Sequence, residues 1–187
     1  MNNTFFLAIL LLLCGSLNAR AATPPGTGRA SVSDSLPVPA NIRHLLFYVQ
    51  RDPDTNTVVY VLNQSAKGVL NDEKPIHAFW IRYAEGGKRK DLSMIQNKFA
   101  YGLHTRKLGK DNYEIRFVSY EKLALYLRRG ADGTFQVHTT IGRKEAILDR
   151  VFIRIKGGTF WVPKVLYIEL KGREAASGRM ITGRFHP

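Results

Sequence analysis

The sequence predicts a mainly β domain, an antiparallel β-barrel or sandwich of roughly 8–10 short strands with one short helix at about residues 91–101. Three observations predict it. Apolar or alternating segments rich in β-branched and aromatic residues recur from Leu45 to Phe185. Clusters of Gly, Asp, Asn and Pro cut them at short intervals. One stretch alone switches from strand alternation to helical spacing.

The strands follow in order. Leu45–Gln50 and Thr57–Leu62 flank Asp52-Pro53-Asp54-Thr55-Asn56, a hairpin turn. Ile76–Tyr83 is the next strand. Leu92, Ile95 and Phe99 then recur at helical spacing, with Asp91 as the expected N-cap and Gly102 as the stop. Leu103–Leu108 and Tyr113–Ser119 flank Gly109-Lys110-Asp111-Asn112, a second hairpin. Leu123–Arg128 and Phe135–Ile141 flank Arg129 to Gly133, a third. Ala146–Ile155 and Thr159–Leu170 flank Gly157-Gly158, a fourth. Pro163 cannot donate to a ladder, so that last segment is expected to be bent, bulged or at an edge. Met180–Phe185 is a closing strand. Barrel closure would remove exposed edges, but the sequence does not separate a hollow barrel from a filled one.

Ahead of these elements lies an apolar run, Phe5 to Leu13, followed by Ala19-Arg20-Ala21. A short hydrophobic core before a small-x-small site reads as a signal peptide over residues 1–21. The run is too short for a bilayer-spanning helix, which needs about 20 apolar residues. Export to the periplasm or beyond is therefore expected. Lipid attachment at Cys14 is disfavoured because bulky Leu13 precedes it. Cleavage would also remove the chain's one cysteine, and with it disulfides and thiol chemistry. Residues 22–40, rich in Pro, Gly and Ser, read as a flexible tether, and residues 41–187 as one β-rich domain.

The formal net charge is +13. Residues 22–81 balance five basic groups against five acidic ones. Residues 82–129 carry twelve against five, and residues 142–187 ten against four. A basic surface points to an anionic small molecule, lipid or polysaccharide. Nucleic acid is disfavoured, since there is no basic helix, zinc-ligand spacing or RNA-binding signature. No transmembrane segment is expected after cleavage.

Candidate site residues concentrate in His77-Ala78-Phe79-Trp80-Ile81-Arg82 and the run that follows it. Strand alternation puts Trp80 and Arg82 on one face, with Phe79 and Ile81 on the other as core. Arg82 would grip an acid group while Trp80 covers an apolar face; the plainer reading is an arginine packed on a tryptophan. Gly86-Gly87-Lys88-Arg89-Lys90 leads into the expected helix and makes an anion site from turned backbone N–H groups and three cations. A solvated turn is the competing reading. His104 and Arg106 share a face of the following strand. Arg116 and Arg154 interrupt apolar alternation; if such arginines are buried they must be paired, with Glu114 and Glu169 as candidate partners. The ligand-binding set is thus Trp80, Arg82, Lys88, Arg89, Lys90, His104 and Arg106.

Catalytic motifs are missing. There is no His-Glu-x-x-His, no Gly-x-Ser-x-Gly and no dinucleotide glycine pattern. His44, His77, His104, His138 and His186 are not at ligand spacing, and no metal or cofactor is expected. The leading expectation is a non-enzymatic envelope module that binds an anionic or amphiphilic ligand. The alternatives are an envelope hydrolase using His104 or His138 as a base, and a structural or assembly partner with an exposed apolar patch.

The run Phe79-Trp80-Ile81-Arg82-Tyr83-Ala84-Glu85-Gly86-Gly87-Lys88-Arg89-Lys90, with Leu92 to Gln96 and Tyr101-Gly102, resembles a bacterial exported domain family of unknown function (DUF4833-like). The resemblance extends over most of residues 41–187. It implies a bacterial, exported, single-domain protein and no particular mechanism.

Overall fold

The computed structural model describes residues 35–159 and 162–187. The expected signal peptide, the expected tether up to residue 34, and Phe160 and Trp161 of the expected strand at Thr159–Leu170 lie outside the described residues. Eleven strands form one curled sheet: β1 (Leu45–Asp52), β2 (Asp54–Leu62), β3 (Ile76–Arg82), β4 (Lys88–Asp91), β5 (Leu103–Gly109), β6 (Asn112–Phe117), β7 (Tyr120–Arg129), β8 (Phe135–Ile141), β9 (Lys144–Gly158), β10 (Pro163–Glu174) and β11 (Met180–Phe185). A helical segment between β4 and β5 comprises α1 (Met94–Gln96) and a π-helical turn, Asn97–Tyr101. The sheet order is β4-β3-β2-β1-β9-β8-β7-β6-β5, with β10 on β9 and β11 on β10. The result is a half-barrel rather than a closed barrel.

Strand β9 is the hub. Its first residues pair with β8, from Ile141↔Lys144 to His138↔Ile147. The same edge then turns to β1, from Tyr48↔Arg150 to Asp52↔Arg154, in the one parallel pairing of the sheet. Strand β10 runs along the other edge. The handover falls at a bulge. Lys171 pairs with Arg150 but Gly172 pairs with Leu148, so Asp149 is the extra residue. The bulge reverses side-chain parity. Ala146 and Leu148 before it, and Val151 and Ile153 after it, all reach the same core.

Two lobes, β1–β4 and β5–β8, therefore leave one edge of β9 and bring their inner faces together. Phe47 stacks on Tyr60 at 4.5 Å, and Phe117 from the other lobe meets both edge-on, at 6.1 and 5.8 Å. Each such pair is worth about 0.5–1.5 kcal/mol beyond its buried area. The lobes are also latched across the surface. Asp72, after β2, accepts from Lys107 Nζ and the Tyr113 hydroxyl, each at 2.5 Å. Those bonds lower the Asp72 pKa, while burial and Asp72 push the Tyr113 phenol up to about 12.

The expected hairpins at Pro53, Lys110-Asp111 and Asp132-Gly133 are present. Pro163 sits beside two register shifts, as a proline in a ladder should. Three expectations need correction. Gly157 and Gly158 belong to β9, and the turn comes after them. The helix begins at Met94 rather than Asp91, because Ser93 and Gln96 form a reciprocal capping box. Asp91 ends β4, a strand the sequence reading missed. Gly86 and Gly87, at φ 73 and 79, fold the chain back so that Lys88–Asp91 pairs with β3. At the start of the domain, Pro39 is buried and the Pro37 carbonyl accepts from Gln50 Nε2 at 2.7 Å. The end of the expected tether thus lies on the sheet.

Gly172 faces the bulge with no room to spare. A Cβ there would stand 2.3 Å from the Ile147 carbonyl oxygen and 3.2 Å from the Leu148 Cα. Gly172→Ala is expected to destabilise the domain by about 1–3 kcal/mol through backbone overpacking. Gly109→Ala, whose Cβ would meet nothing within 4 Å, should change stability little. Thermal or urea unfolding of both variants checks this.

Candidate functional site

The helical segment sits where the two lobes approach, and both lobes hold it. Gln96 Oε1 accepts from the Trp80 indole N–H at 3.3 Å and from the Ser93 backbone N–H at 3.0 Å. Tyr101 meets Trp80 edge-on at 5.0 Å, and its carbonyl accepts from the Tyr60 hydroxyl at 2.9 Å. From the other lobe, Ser119 Oγ donates to the Ala100 carbonyl at 2.6 Å, and the Val118 N–H donates to the Gly102 carbonyl at 3.0 Å. Gly102 is required to leave the π-helical turn, since a Cβ there would lie 1.8 Å from the Asn97 carbonyl oxygen.

Held in this way, Phe99, Ala100 and Tyr101 form one wall of a cleft of about 560 Å³. Ser119 and Tyr120 form the second wall, and Ile153, Pro163, Val165 and Ile168 from β9 and β10 the third. A smaller chamber of about 50 Å³ adjoins it, shares much of this lining and adds Val49, Phe117, Leu123 and Val151 from the core. The bulges beside Pro163 bend β10 at the cleft wall.

Among the described residues, one cation lines this cleft. The Arg51 guanidinium lies 5.9 Å from the centroids of both the Trp80 and Tyr101 rings. Asp54 Oδ2 accepts from its Nε at 3.2 Å and its Nη2 at 3.0 Å. Burial raises the Tyr101 phenol pKa, and the Arg51 charge opposes that shift. A cleft of this size, with apolar side chains along part of its walls and an oriented cation, can take an apolar chain or ring bearing an acid group.

The structure distributes the predicted site residues over three places. Trp80 is buried in the core, 5% exposed, and the cation over it is Arg51 rather than Arg82. The expected surface pair of Trp80 and Arg82 is therefore absent, because the half-barrel's inner face lies on the Trp80 side. Arg82 pairs with Glu85 across the turn. Lys88, Arg89 and Lys90 are exposed on edge strand β4, with Arg89 3.5 Å over the Phe79 ring. They do not lead into a helix start. His104 and Arg106 lie on β5, where His104 faces Glu121 at 3.5 Å and Arg106 Nε donates to Glu114 at 2.8 Å.

The paired-arginine expectation holds, but on the outer face of the sheet. Glu114 receives Arg106 and Arg116, which lower its pKa. Glu169, 3% exposed, receives Arg150 Nη2 at 3.1 Å and Arg184 Nε at 2.6 Å. Arg154 pairs with Asp52.

Sequence reasoning missed Arg51, Tyr101, Tyr120, Ile153, Val165 and Ile168. Arg51 reads as the flank of a turn, and the others as ordinary strand or helix-end residues. Only the Pro163 irregularity beside Val165 marked this region.

The family model for the domain of unknown function DUF4833 matches residues 47–184. The chain belongs to the DUF4833 family. The DUF4833 match begins within β1 and ends within β11, so it takes in the whole lining of the cleft apart from Pro187. No curated protein and no solved structure matches the chain.

A second hollow, about 610 Å³, lies on the outer face of β7 and β8. There His138 Nδ1 lies 3.3 Å from Glu145 Oε1, which also accepts from Arg128 Nη1 at 2.9 Å. Burial lowers the His138 pKa below 6.5; Glu145 opposes this and Arg128 adds to it. The folded state therefore binds fewer protons than the unfolded chain between the folded pKa and 6.5. The stability this ring contributes is present above pH 6.5 and is lost as pH falls through the folded pKa. NMR titration should place His138 below 6.5, and His138→Gln should flatten the acid limb of a melting-temperature profile.

Proposed function

We propose that this protein is an exported cell-envelope module that binds an amphiphile with an anionic head. The observation that carries the reading is the cleft itself. It is walled by Tyr120, Ile153, Val165 and Ile168, it adjoins a chamber in the core, and Arg51 stands on its lining. The apolar part of the ligand occupies the walls, where each buried CH₂ contributes about 0.8 kcal/mol. The acid group meets Arg51, which shares its remaining donors between Asp54 and the ligand. Arg82, Lys88, Arg89 and Lys90 on the β3–β4 hairpin, with His104 and Arg106 on β5, add attraction for anions from outside. Envelope location rests on the leader-like Phe5 to Ala21 pattern.

The test uses sodium decanoate and decanol below their aggregation limits. Val165→Trp fills the cleft and should weaken both about tenfold or more. Arg51→Gln removes the charge and should weaken decanoate about tenfold while leaving decanol nearly unchanged. Melting temperatures control for folding. If neither change matters and a triple Lys88→Ala, Arg89→Ala, Lys90→Ala variant abolishes binding, the basic hairpin is the site.

A second reading, an envelope hydrolase, is favoured by one observation: the approach of half-buried His138 to Glu145 beside Arg128. An imidazole that stays neutral can take a proton from water. His104, 63% exposed and 3.5 Å from Glu121, is the less enclosed candidate. Loss of esterase or phosphodiesterase activity in His138→Gln, with activity kept in Val165→Trp, would favour this reading over the first.

A further inference from the structure

The rim of the cleft differs from the rest of the surface. Nine large hydrophobic side chains are exposed among the described residues; Phe99 lines the cleft, and three others lie close to lining residues in sequence. Met94 is 81% exposed, Ile95 48% and Phe99 54%, all on the helical segment. Val162, 74% exposed, precedes Pro163 on the facing wall. Ile95 lies one turn before Phe99 on the helical segment, so the two extend one apolar stripe to the cleft wall.

The two segments that carry them contain charges of one sign. Residues 92–102 contain Lys98 and no Asp or Glu, and residues 155–165 contain Lys156 and Lys164 and no Asp or Glu. At several other places carboxylates answer the cations: Glu85 for Arg82, Glu114 for Arg106 and Arg116, Glu174 for Lys144. An apolar stripe beside lysines, on both sides of an apolar opening, matches the interfacial layer of an anionic bilayer. Scattered exposed apolar residues need no partner, but these lie on the two segments that supply Phe99 and Pro163 to the cleft wall.

We propose that this rim docks on an anionic lipid surface. Met94, Ile95 and Val162 enter the interfacial layer, and Lys98, Lys156 and Lys164 meet headgroup phosphates. The cleft then opens toward the acyl chains, so an amphiphile passes from bilayer to protein without crossing water. This rests on the reading of the cleft as an amphiphile site. It adds a lipid surface as the partner and the source of the ligand. No helix among the described residues is long and apolar enough to cross a membrane, and surface docking requires none.

The experiment is flotation of the protein with vesicles of phosphatidylcholine alone, and of phosphatidylcholine mixed with phosphatidylglycerol. Wild type should float with the mixed vesicles and not with the neutral ones. A Met94→Asp, Val162→Asp variant should lose partitioning about tenfold or more, because two apolar contacts become charged. Neither side chain lines the cleft, so the variant should bind sub-micellar decanoate as wild type does and melt at the same temperature. Equal flotation of wild type and variant overturns the docking surface, as does flotation that vanishes with modest salt regardless of the variant. Absence of flotation with decanoate binding intact also overturns it, and leaves the cleft reading standing. Absence of decanoate binding in both proteins overturns the cleft reading itself, whatever the vesicles show.

Discussion

Strand β9 has two edges and three partners, and the rest of the fold depends on how it accommodates them. A regular strand would continue with one neighbour on each side. Here Asp149 is added at mid-strand, β8 lets go at Ile147, and β1 takes over at Arg150. The added residue restores the inward direction of the side chains after the handover, so a single core runs past it. The carboxyl of Asp149 is half-buried at this point, and burial raises its pKa. On the outer face the Glu169 carboxylate, between Arg150 and Arg184, ties β9, β10 and β11 together directly beside the bulge. A buried carboxylate of this kind is tolerated because both oxygens are met by cations.

The fork creates the site. Two lobes that leave one strand edge approach each other without their outer strands joining, since β4 and β5 end the sheet. The helical segment bridges that gap, fastened through Gln96 and Tyr101 to one lobe and through Ala100 and Gly102 to the other. Where it stops, the ends of β9 and β10 extend past the core and leave an apolar cleft. A closed barrel would have filled or sealed this space.

Much of the sheet was legible because hairpin turns declare themselves through Pro, Gly, Asp and Asn, and because alternation follows from the pleat. Met180–Phe185 and Phe135–Ile141 were readable to the residue. Strand β4 was not, because Lys88-Arg89-Lys90-Asp91 has no apolar face and its pairing comes from the Gly86-Gly87 turn. The bulge left a trace in the adjacent polar pair Asp149-Arg150, which interrupts alternation. Nothing in that trace says that two strands share the edge. The cleft was the least legible feature, since its walls come from segments far apart in the chain. Trp80 drew attention for its company in sequence, yet folding makes Arg51 its cation and Tyr101 its edge-on ring partner. The carboxylate partners were readable in part, because a half-buried arginine requires one: Glu114 takes Arg116 as expected, while Arg154 goes to Asp52 and Glu169 serves Arg150 and Arg184 instead, all on the outer face.

In the proposed function, an amphiphile enters the space the fork leaves open. Intermolecular NOEs between decanoate and methyl-labelled protein test this. NOEs are expected from the chain to Ile153, Val165 and Ile168, with the carboxylate end nearest Arg51. NOEs confined to β4 or to the outer face of β7 and β8, with none to those three residues, would contradict it.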